Sequence, residues 1–458
     1  MSLWTAAEIA AATGGVATAD FAVSGIAFDS REVGPGDLFV ALKGETTDGH
    51  RFLDDVFSRG AGGAIISQPS AHPAVRVPDT MAALEALARA ARARMGGVVI
   101  GVTGSVGKTG TKEALFACLD RAAPGAAHRS LKSYNNHTGV PLSLARMPAA
   151  TRYGVFEMGM NHAGEIAALT RLVRPHIAIV TTVASVHLEF FKDESGIADA
   201  KAEIFEGLEP GGTAIIPDDN VHRDRLIAAA ETCGASIVTF GSGKGADVRA
   251  LETMRTSSGG TFVTAQLRTR ELSFTVGQPG AHQVSNALAV LAAIEAAGGD
   301  LGLAGLALAD MGGLAGRGAR ITLALPDGGS ALLIDESYNA NPTSMRATLD
   351  VLASEPARRR IAVLGAMGEL GPDSATLHAG LAAPVADAGV DLAILVGEGM
   401  RPLANALEGR VEIVHVPDAA SAQARLRAMI AAQDVVLVKG SNFVGLSAVV
   451  AALAGGKA

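Results

Sequence analysis

At 458 residues, with 48% hydrophobic and 18% charged side chains, the chain is too long for one ordinary core and apolar enough to fill several, which excludes extensive disorder and predicts about three domains. A formal net charge of -8 leaves no electrostatic footprint for nucleic acid, so an anionic ligand must be met by a local cradle. Two cysteines, Cys118 and Cys233, cannot make a disulfide framework and fit free thiols in a reducing compartment.

The N-terminus lacks the basic start and apolar stretch of a secretory signal, and Thr5-Ala6-Ala7-Glu8 predicts a capping box opening a short helix. No uncharged run reaches the roughly 18 apolar residues of a membrane span; the stretch after Gly299 carries Asp300 and Asp310. A cytoplasmic protein without a membrane span is expected. The runs GIAF, DLFVAL and GGAIIS, broken by GPGD and TDGH, predict a small α/β domain over 1–96. It closes with the helix MAALEALARAARARM and a stop at Gly96-Gly97.

From Val98, strand runs (VVIGVT, YGVFEM, HIAIVTTV, TAIIP) alternate with amphipathic helices, the pattern of a doubly wound parallel sheet. A hairpin-like stretch (GTFVTAQL, ELSFTV) and the helix SNALAVLAAIEAAGG lead to MGGLAGRG, whose glycines between Gly312 and Gly318 suit a hinge. The alternation then resumes. The expected architecture is α/β in three domains: a small N-terminal α/β domain, a central P-loop parallel-sheet ATPase domain over 97–313, and a C-terminal Rossmann-like domain over 314–458.

The strongest motif is Gly101-Val102-Thr103-Gly104-Ser105-Val106-Gly107-Lys108-Thr109, placed between a strand and a helix. In such a P-loop the backbone N–H groups surround phosphate oxygens, the lysine neutralises them, and the hydroxyl after it ligates Mg²⁺. The spacing departs from the strict pattern, which wants glycine at Val102. Gly104, Ser105, Val106, Gly107, Lys108, Thr109 and Gly110 are the candidate phosphate-binding residues. Mg²⁺ also wants a carboxylate at a neighbouring strand end, and Glu157 in YGVFEMG stands there. Taken singly, His187 and Lys201 read as a structural histidine and a solvated helical lysine. The Asn-Lys-x-Asp signature of a GTPase is absent, whereas an ATPase motor, a kinase or a slow ATP-hydrolysing scaffold stays open on the P-loop alone.

Blocks in order along most of the chain are similar to the Mur ligase family: FDSREVGPGDLFVALKGETTDGH, TGSVGKTGTKEAL, SYNNHTGVPLSL, EMGMNHAGEIAALT, VHLEFFKDESGIADAKAEIF, GAHQVSNALAV, AGRG, DESYNANP, VLGAMGELG and LVKGS. The resemblance implies an ATP-dependent ligase of peptidoglycan precursor synthesis that joins D-alanyl-D-alanine to the tripeptide carboxylate of UDP-N-acetylmuramoyl-tripeptide through an acyl phosphate, with another Mur-type or a folylpolyglutamate-type amide ligase as the neighbouring reading. It further implies a monomer with small-molecule partners and no nucleic acid. By motif position it assigns Lys108, Lys201 and His187 to catalysis, and Thr109, Glu157, His187 and Lys201 to two Mg²⁺ ions, Lys201 as a carbamate. Asn286, Arg317 and Asp335 go to the nucleotide. Ser30, Arg31, Lys43, Asp48, Gly49, His50, Asn135, Asn136, Tyr338, Asn339 and Asn341 go to the other substrates. Glu336 stands where the family usually has a second Asp, Asn442 where it has Arg, and Thr182 where it has Asn.

Overall fold

The computed structural model describes residues 2–44, 46–186, 188–326 and 328–455. Its strands fall into three principal sheets, one in each third of the chain.

The first sheet has five strands, in the order Val16–Ala17, Ala74–Arg76, Gly63–Ile66, Asp37–Val40, Gly25–Ala27, parallel except for its first pair. Helix Thr80–Arg94 covers it, because Ala83, Leu84, Leu87, Ala88 and Ala91 recur at helical spacing on the buried face. Asp79 caps that helix by accepting from the amides of Met81 and Ala82. The expected capping box is present: Thr5 and Glu8 satisfy each other's backbone amides.

The middle sheet has nine strands. Val98–Thr103 lies between Tyr153–Glu157 and Ile177–Val180, all parallel. Alternate residues of these strands enter opposite cores, Ile100, Val102, Val155 and Ile179 on one side, Val99, Phe156, Ala178 and Val180 on the other. That period of two, apolar on both faces, requires helices on both sides. Lys108–Ala122, Ala281–Ala296 and Leu301–Asp310 cover the first face, and Glu165–Val173, Glu194–Ala202 and Arg223–Thr232 the second. After Val98–Thr103 the chain builds Ala127–Arg129 and Tyr153–Glu157 on one side, then crosses to Ile177–Val180 on the other. Strand order therefore reverses here and opens a crevice at the carboxyl ends of three strands. The expected hairpin, Thr261–Gln266 with Glu271–Val276, extends the far edge antiparallel.

The last sheet has six strands, in the order Ala319–Ala324, Ser330–Glu336, Asp434–Lys439, Arg359–Gly365, Leu392–Val396, Glu412–Val416, with only the first pair antiparallel. The register sets Glu336 beside Lys439 at the carboxyl end.

The glycine-rich connection differs from the flexible run expected over Gly312 to Gly318. Leu314 and Arg317 exchange backbone hydrogen bonds, Gly318 N–H donates to Asp335 O, and Gly316 N–H donates to the Asp335 carboxylate at 2.7 Å. A side chain on Gly313 would sit 1.9 Å from Gly318 O. Residues 314–318 thus form a tight turn fastened to the last sheet, and the carbonyl of Gly312, just before it, accepts from Gln278 Nε2 at 2.9 Å.

Helix Pro342–Ser354 ends at Glu355, whose buried carboxylate receives Arg320 of its own unit and Arg255 of the middle unit at 2.6 and 2.7 Å. Removing one partner of a buried pair strands the other charges. Glu355→Ala is expected to lower stability by about 3 kcal/mol, read as an earlier urea transition, and to raise protease sensitivity between the middle and last units. An unchanged transition would contradict this.

Candidate active site

The P-loop forms despite its imperfect spacing. Gly104 and Gly107 adopt φ values of +145° and +91°, where only glycine is unstrained. A Cβ on Gly104 would fall 1.9 Å from Thr181 Oγ1, and one on Gly107 would fall 2.7 Å from Asn286 Oδ1. The loop is stitched to the end of the next strand: Ser105 N–H donates to Thr182 O, and Ser105 Oγ donates to Ala184 O while accepting from Ala184 N–H. Thr181 Oγ1 donates to Val106 O at 2.6 Å. Glycine at Val102 is unnecessary, since that residue is still strand and its side chain fills the core.

Lys108 Nζ donates to Gly104 O at 2.6 Å. Enclosure by protein holds its pKa below the ordinary lysine value, with Arg317 adding to the effect and Glu157 opposing it. Thr109 Oγ1 donates to Glu157 Oε2 at 2.9 Å, and Asn135 Nδ2 donates to Glu157 Oε1 at 2.8 Å. Glu157 is 1% exposed, so these partners hold a carboxylate at the strand end beside the phosphate loop. A hydroxyl and one carboxylate are the hard oxygen donors Mg²⁺ takes, with water completing its shell. Among the described residues no group of three or more His, Cys, Asp or Glu side chains could hold a metal. His187 lies outside the described residues.

Lys201 is 2% exposed, which overturns the solvated-helix reading. Burial, and then the charge of Lys108, push its pKa well below the ordinary lysine value.

One cavity of about 680 Å³ joins the P-loop to the last unit. Its floor carries Ser105 to Gly110, Glu157, Asn135 and Asn286; its roof carries Arg317, Glu336, Tyr338, Asn339, Asn341 and Lys439. The Arg317 guanidinium lies 4.1 Å over the Tyr338 ring. Lys439 Nζ donates to Asn339 O at 3.0 Å and stands 3.5 Å from Glu336. Burial pushes Lys439 down and Glu336 up, and their attraction opposes both shifts.

Three sequence-assigned residues make structural hydrogen bonds. Asp335 is behind the cavity wall, its carboxylate accepting from Gly316 N, Ser337 N and Ser337 Oγ, so it orders the turn that presents Arg317. Asn136 Oδ1 accepts from Gly139 N and Thr138 and shapes the start of helix Gly139–Ala145. Asn341 Oδ1 accepts from Ser344 N at 2.8 Å and caps helix Pro342–Ser354, although the residue still lines the cavity.

Ser30, Arg31, Lys43, Asp48, Gly49 and His50 belong to the first unit and do not line this cavity. Asp29 accepts from Arg31, whose guanidinium draws its pKa down to about 2. Ser67 N–H donates to His50 Nε2, so the ring proton sits on Nδ1 and donates to Asp48 Oδ1 at 2.6 Å. Gly49 has no room for a Cβ, which would meet Leu42 O at 2.8 Å. Lys439, Thr181 and His282 were not among the sequence-assigned residues, yet all line the cavity. The signal for Lys439 was its place at the carboxyl end of the apolar run DVVLVK.

The fold and the site define a P-loop nucleotide-binding protein whose loop faces a second Rossmann-like unit across one cavity. The Mur ligase middle domain matches residues 102–294, the Mur ligase glutamate ligase domain residues 320–442, and the catalytic domain of the Mur ligase family residues 22–93. The UDP-N-acetylmuramoyl-tripeptide--D-alanyl-D-alanine ligase of Escherichia coli K12 is 36% identical, covering 95% of this chain and 94% of the relative. The crystal structure of MurF from Acinetobacter baumannii matches at a TM-score of 0.85, with 32% identity and 99% of each chain covered. MurF ligase from Thermotoga maritima, solved in complex with ADP, matches at 0.77, with 26% identity over 93% of this chain and 96% of that one. The chain belongs to the Mur ligase family, and is therefore an ATP-dependent ligase. Among the described residues no helix is long and apolar enough to cross a membrane.

Gly104→Ala forces a β-carbon into Thr181 and a backbone conformation strained by about 1–3 kcal/mol. The variant is expected to bind ADP on the order of tenfold more weakly by calorimetry. Wild-type affinity would show that the loop tolerates a side chain there.

Proposed function

We propose that this chain joins D-alanyl-D-alanine to the terminal carboxylate of UDP-N-acetylmuramoyl-tripeptide with cleavage of ATP to ADP and phosphate. The observation that carries it is the single cavity in which a P-loop with Lys108, Thr109 and Glu157 faces Arg317, Tyr338 and Lys439 of the last unit. The Escherichia coli relative named above, matched nearly end to end, carries this activity in its name.

In this reading the tripeptide carboxylate attacks the γ-phosphorus, the bond to the ADP oxygen breaks, and an acyl phosphate forms; the amine of D-alanyl-D-alanine then displaces phosphate and loses a proton. Two anions must meet, so positive charge has to be concentrated at the reacting oxygens. Lys108 supplies it by exchanging Gly104 O for phosphate oxygens, and the N–H groups of Ser105 to Gly110 cradle the remainder. Asn286, packed on Gly107, and Arg317 hold the nucleotide from either side. Magnesium, held by Thr109 and Glu157, offsets the repulsion between carboxylate and phosphate when bound. Ser30, Arg31, Lys43, Asp48, Gly49 and His50 receive the uridine diphosphate end in residues 1–96. Residues 97–313 serve ATP, and residues 314–458 close the site against water. Asn135, Tyr338, Asn339 and Asn341 face the peptide substrates.

Lys201 works as a carbamate in this reading. Burial and the neighbouring Lys108 disfavour its ammonium, and a neutral buried amine is the form that adds CO₂. The product is an anion with two oxygens where a cation would repel the metal.

Phosphate release is expected only with ATP, the UDP-linked tripeptide and D-alanyl-D-alanine together; turnover without either of the last two would favour a slow ATPase. Lys108→Ala should cost on the order of 10² to 10³ in rate or more, with uridine-substrate binding kept within a few-fold. Lys201→Ala should lose most activity while keeping the fold, with partial rescue by acetate, and Lys201→Arg should stay inactive. Near-normal turnover in either Lys201 variant would rule out the carbamate.

A further inference from the structure

Lys112 has no part in the reaction as described, and it does not line the cavity. Its side chain is nonetheless fully buried. The helix face it shares with Leu115 and Leu119 otherwise packs with apolar groups, and burying an ammonium there is unfavourable unless oxygen atoms surround it. Lys112 finds three such partners: Lys132 O at 2.7 Å, the Glu113 carboxylate at 3.0 Å, and Glu157 Oε2 at 3.9 Å.

The first and third of these contacts connect distant parts of the molecule. Thr109 and Lys112 are three residues apart on one helix, so both reach the same carboxylate, that of Glu157. Lys132, whose carbonyl Lys112 holds, has a φ of +51°, a conformation rare for a residue with a side chain. That conformation is pinned from two ends, the carbonyl by Lys112 and the ammonium by an ion pair with Glu32 of the first unit. Glu32 also accepts from Tyr134 Oη at 2.8 Å, and the next residue, Asn135, donates to Glu157. Two routes therefore run from Glu32 to Glu157, one through Lys132 and Lys112, the other through Tyr134 and Asn135. Glu32 closes the same short turn, Ser30–Glu32, that carries Ser30 and Arg31.

We propose that Lys112 is a positioning residue that transmits occupancy of the Ser30–Glu32 turn to the Glu157 carboxylate, so that a uridine diphosphate on the first unit sets the metal-binding oxygen on the middle unit. This rests on the reading that Glu157 holds Mg²⁺ and that the turn receives uridine diphosphate. The UDP-linked substrate and the metal-bound nucleotide would therefore strengthen each other's binding. Coupling of this kind is a binding free energy shared between two sites, and it is reciprocal.

The test measures binding and not turnover. ADP is titrated calorimetrically into the full chain with and without Mg²⁺, each with and without saturating UDP. In the wild-type chain UDP should strengthen ADP binding several-fold with Mg²⁺ and leave it unchanged without the metal. Lys112→Met should reduce the ratio of ADP affinities with and without Mg²⁺ by about tenfold and remove the UDP effect, while metal-free ADP affinity stays within about twofold. Glu32→Gln, at the far end and away from the cavity, should remove the UDP effect alone. An absent UDP effect in the wild-type chain, an unchanged magnesium ratio in Lys112→Met, or an equal loss of ADP affinity with and without metal would each overturn the proposal, the last because it is what lost packing alone would give. If Lys112→Met does not fold, Glu32→Gln decides, and persistence of the UDP effect in it overturns the proposal. Glu157→Gln separates the two layers: if it leaves the magnesium ratio unchanged, the metal reading of Glu157 fails, whereas a lowered ratio there with an unchanged one in Lys112→Met rejects only the relay.

Discussion

The hydrogen bond from Thr109 Oγ1 to Glu157 Oε2, 2.9 Å long, ties the first turn of the P-loop helix to the end of the neighbouring strand. A carboxylate this deeply buried must be held by donors and positive charge, and the middle unit is arranged to provide them. Asn135 takes the second oxygen, Lys112 stands behind the first, and Lys108 is near enough for its charge to interact. The requirement fixes the register of helix Lys108–Ala122 against strand Tyr153–Glu157. It also explains why the segment 130–136 folds back over the strand ends.

The last unit meets this centre with a different device. Asp335 spends its carboxylate on Gly316 and Ser337, converting a glycine-rich run into a turn that aims Arg317 into the cavity. Its neighbour Glu336 pairs with Lys439 across adjacent parallel strands. The cavity thus receives Lys108, Arg317 and Lys439 against Glu157, Glu336 and Glu369. A chain of net charge -8 in this way brings Lys108 and Arg317 to one cavity, where an anionic ligand can be met without a global field.

The turn at 314–318 is built into the last unit. Asp335 and Tyr338 hold it against the last sheet. Arg317 and Tyr338, stacked on one another, line the cavity together. The Glu355 contact with Arg255 fixes the opposite side of the same interface.

The sequence by itself determined the elements and the phosphate loop. Apolar runs of period two flanked by amphipathic helices specify a parallel sheet covered on both faces, and Gly104, Gly107, Lys108 and Thr109 specify the loop, because both signals are local and depend only on neighbouring residues. It also exposed Glu157 as the last residue of an apolar strand. What it could not distinguish was which of several polar residues in one motif points into the cavity. Asp335 and Glu336 are adjacent, yet pleating sends one to the turn at Gly316 and the other to Lys439. Asn135 and Asn136 are likewise adjacent, and one reaches Glu157 while the other shapes a helix start. Lys201 read as a solvated helical lysine, and the burial of Lys112 left no mark in the sequence, because a single helix carries no record of what packs on it. Only the tertiary structure decided these assignments, since burial and partnership depend on residues tens to hundreds of positions apart in the chain.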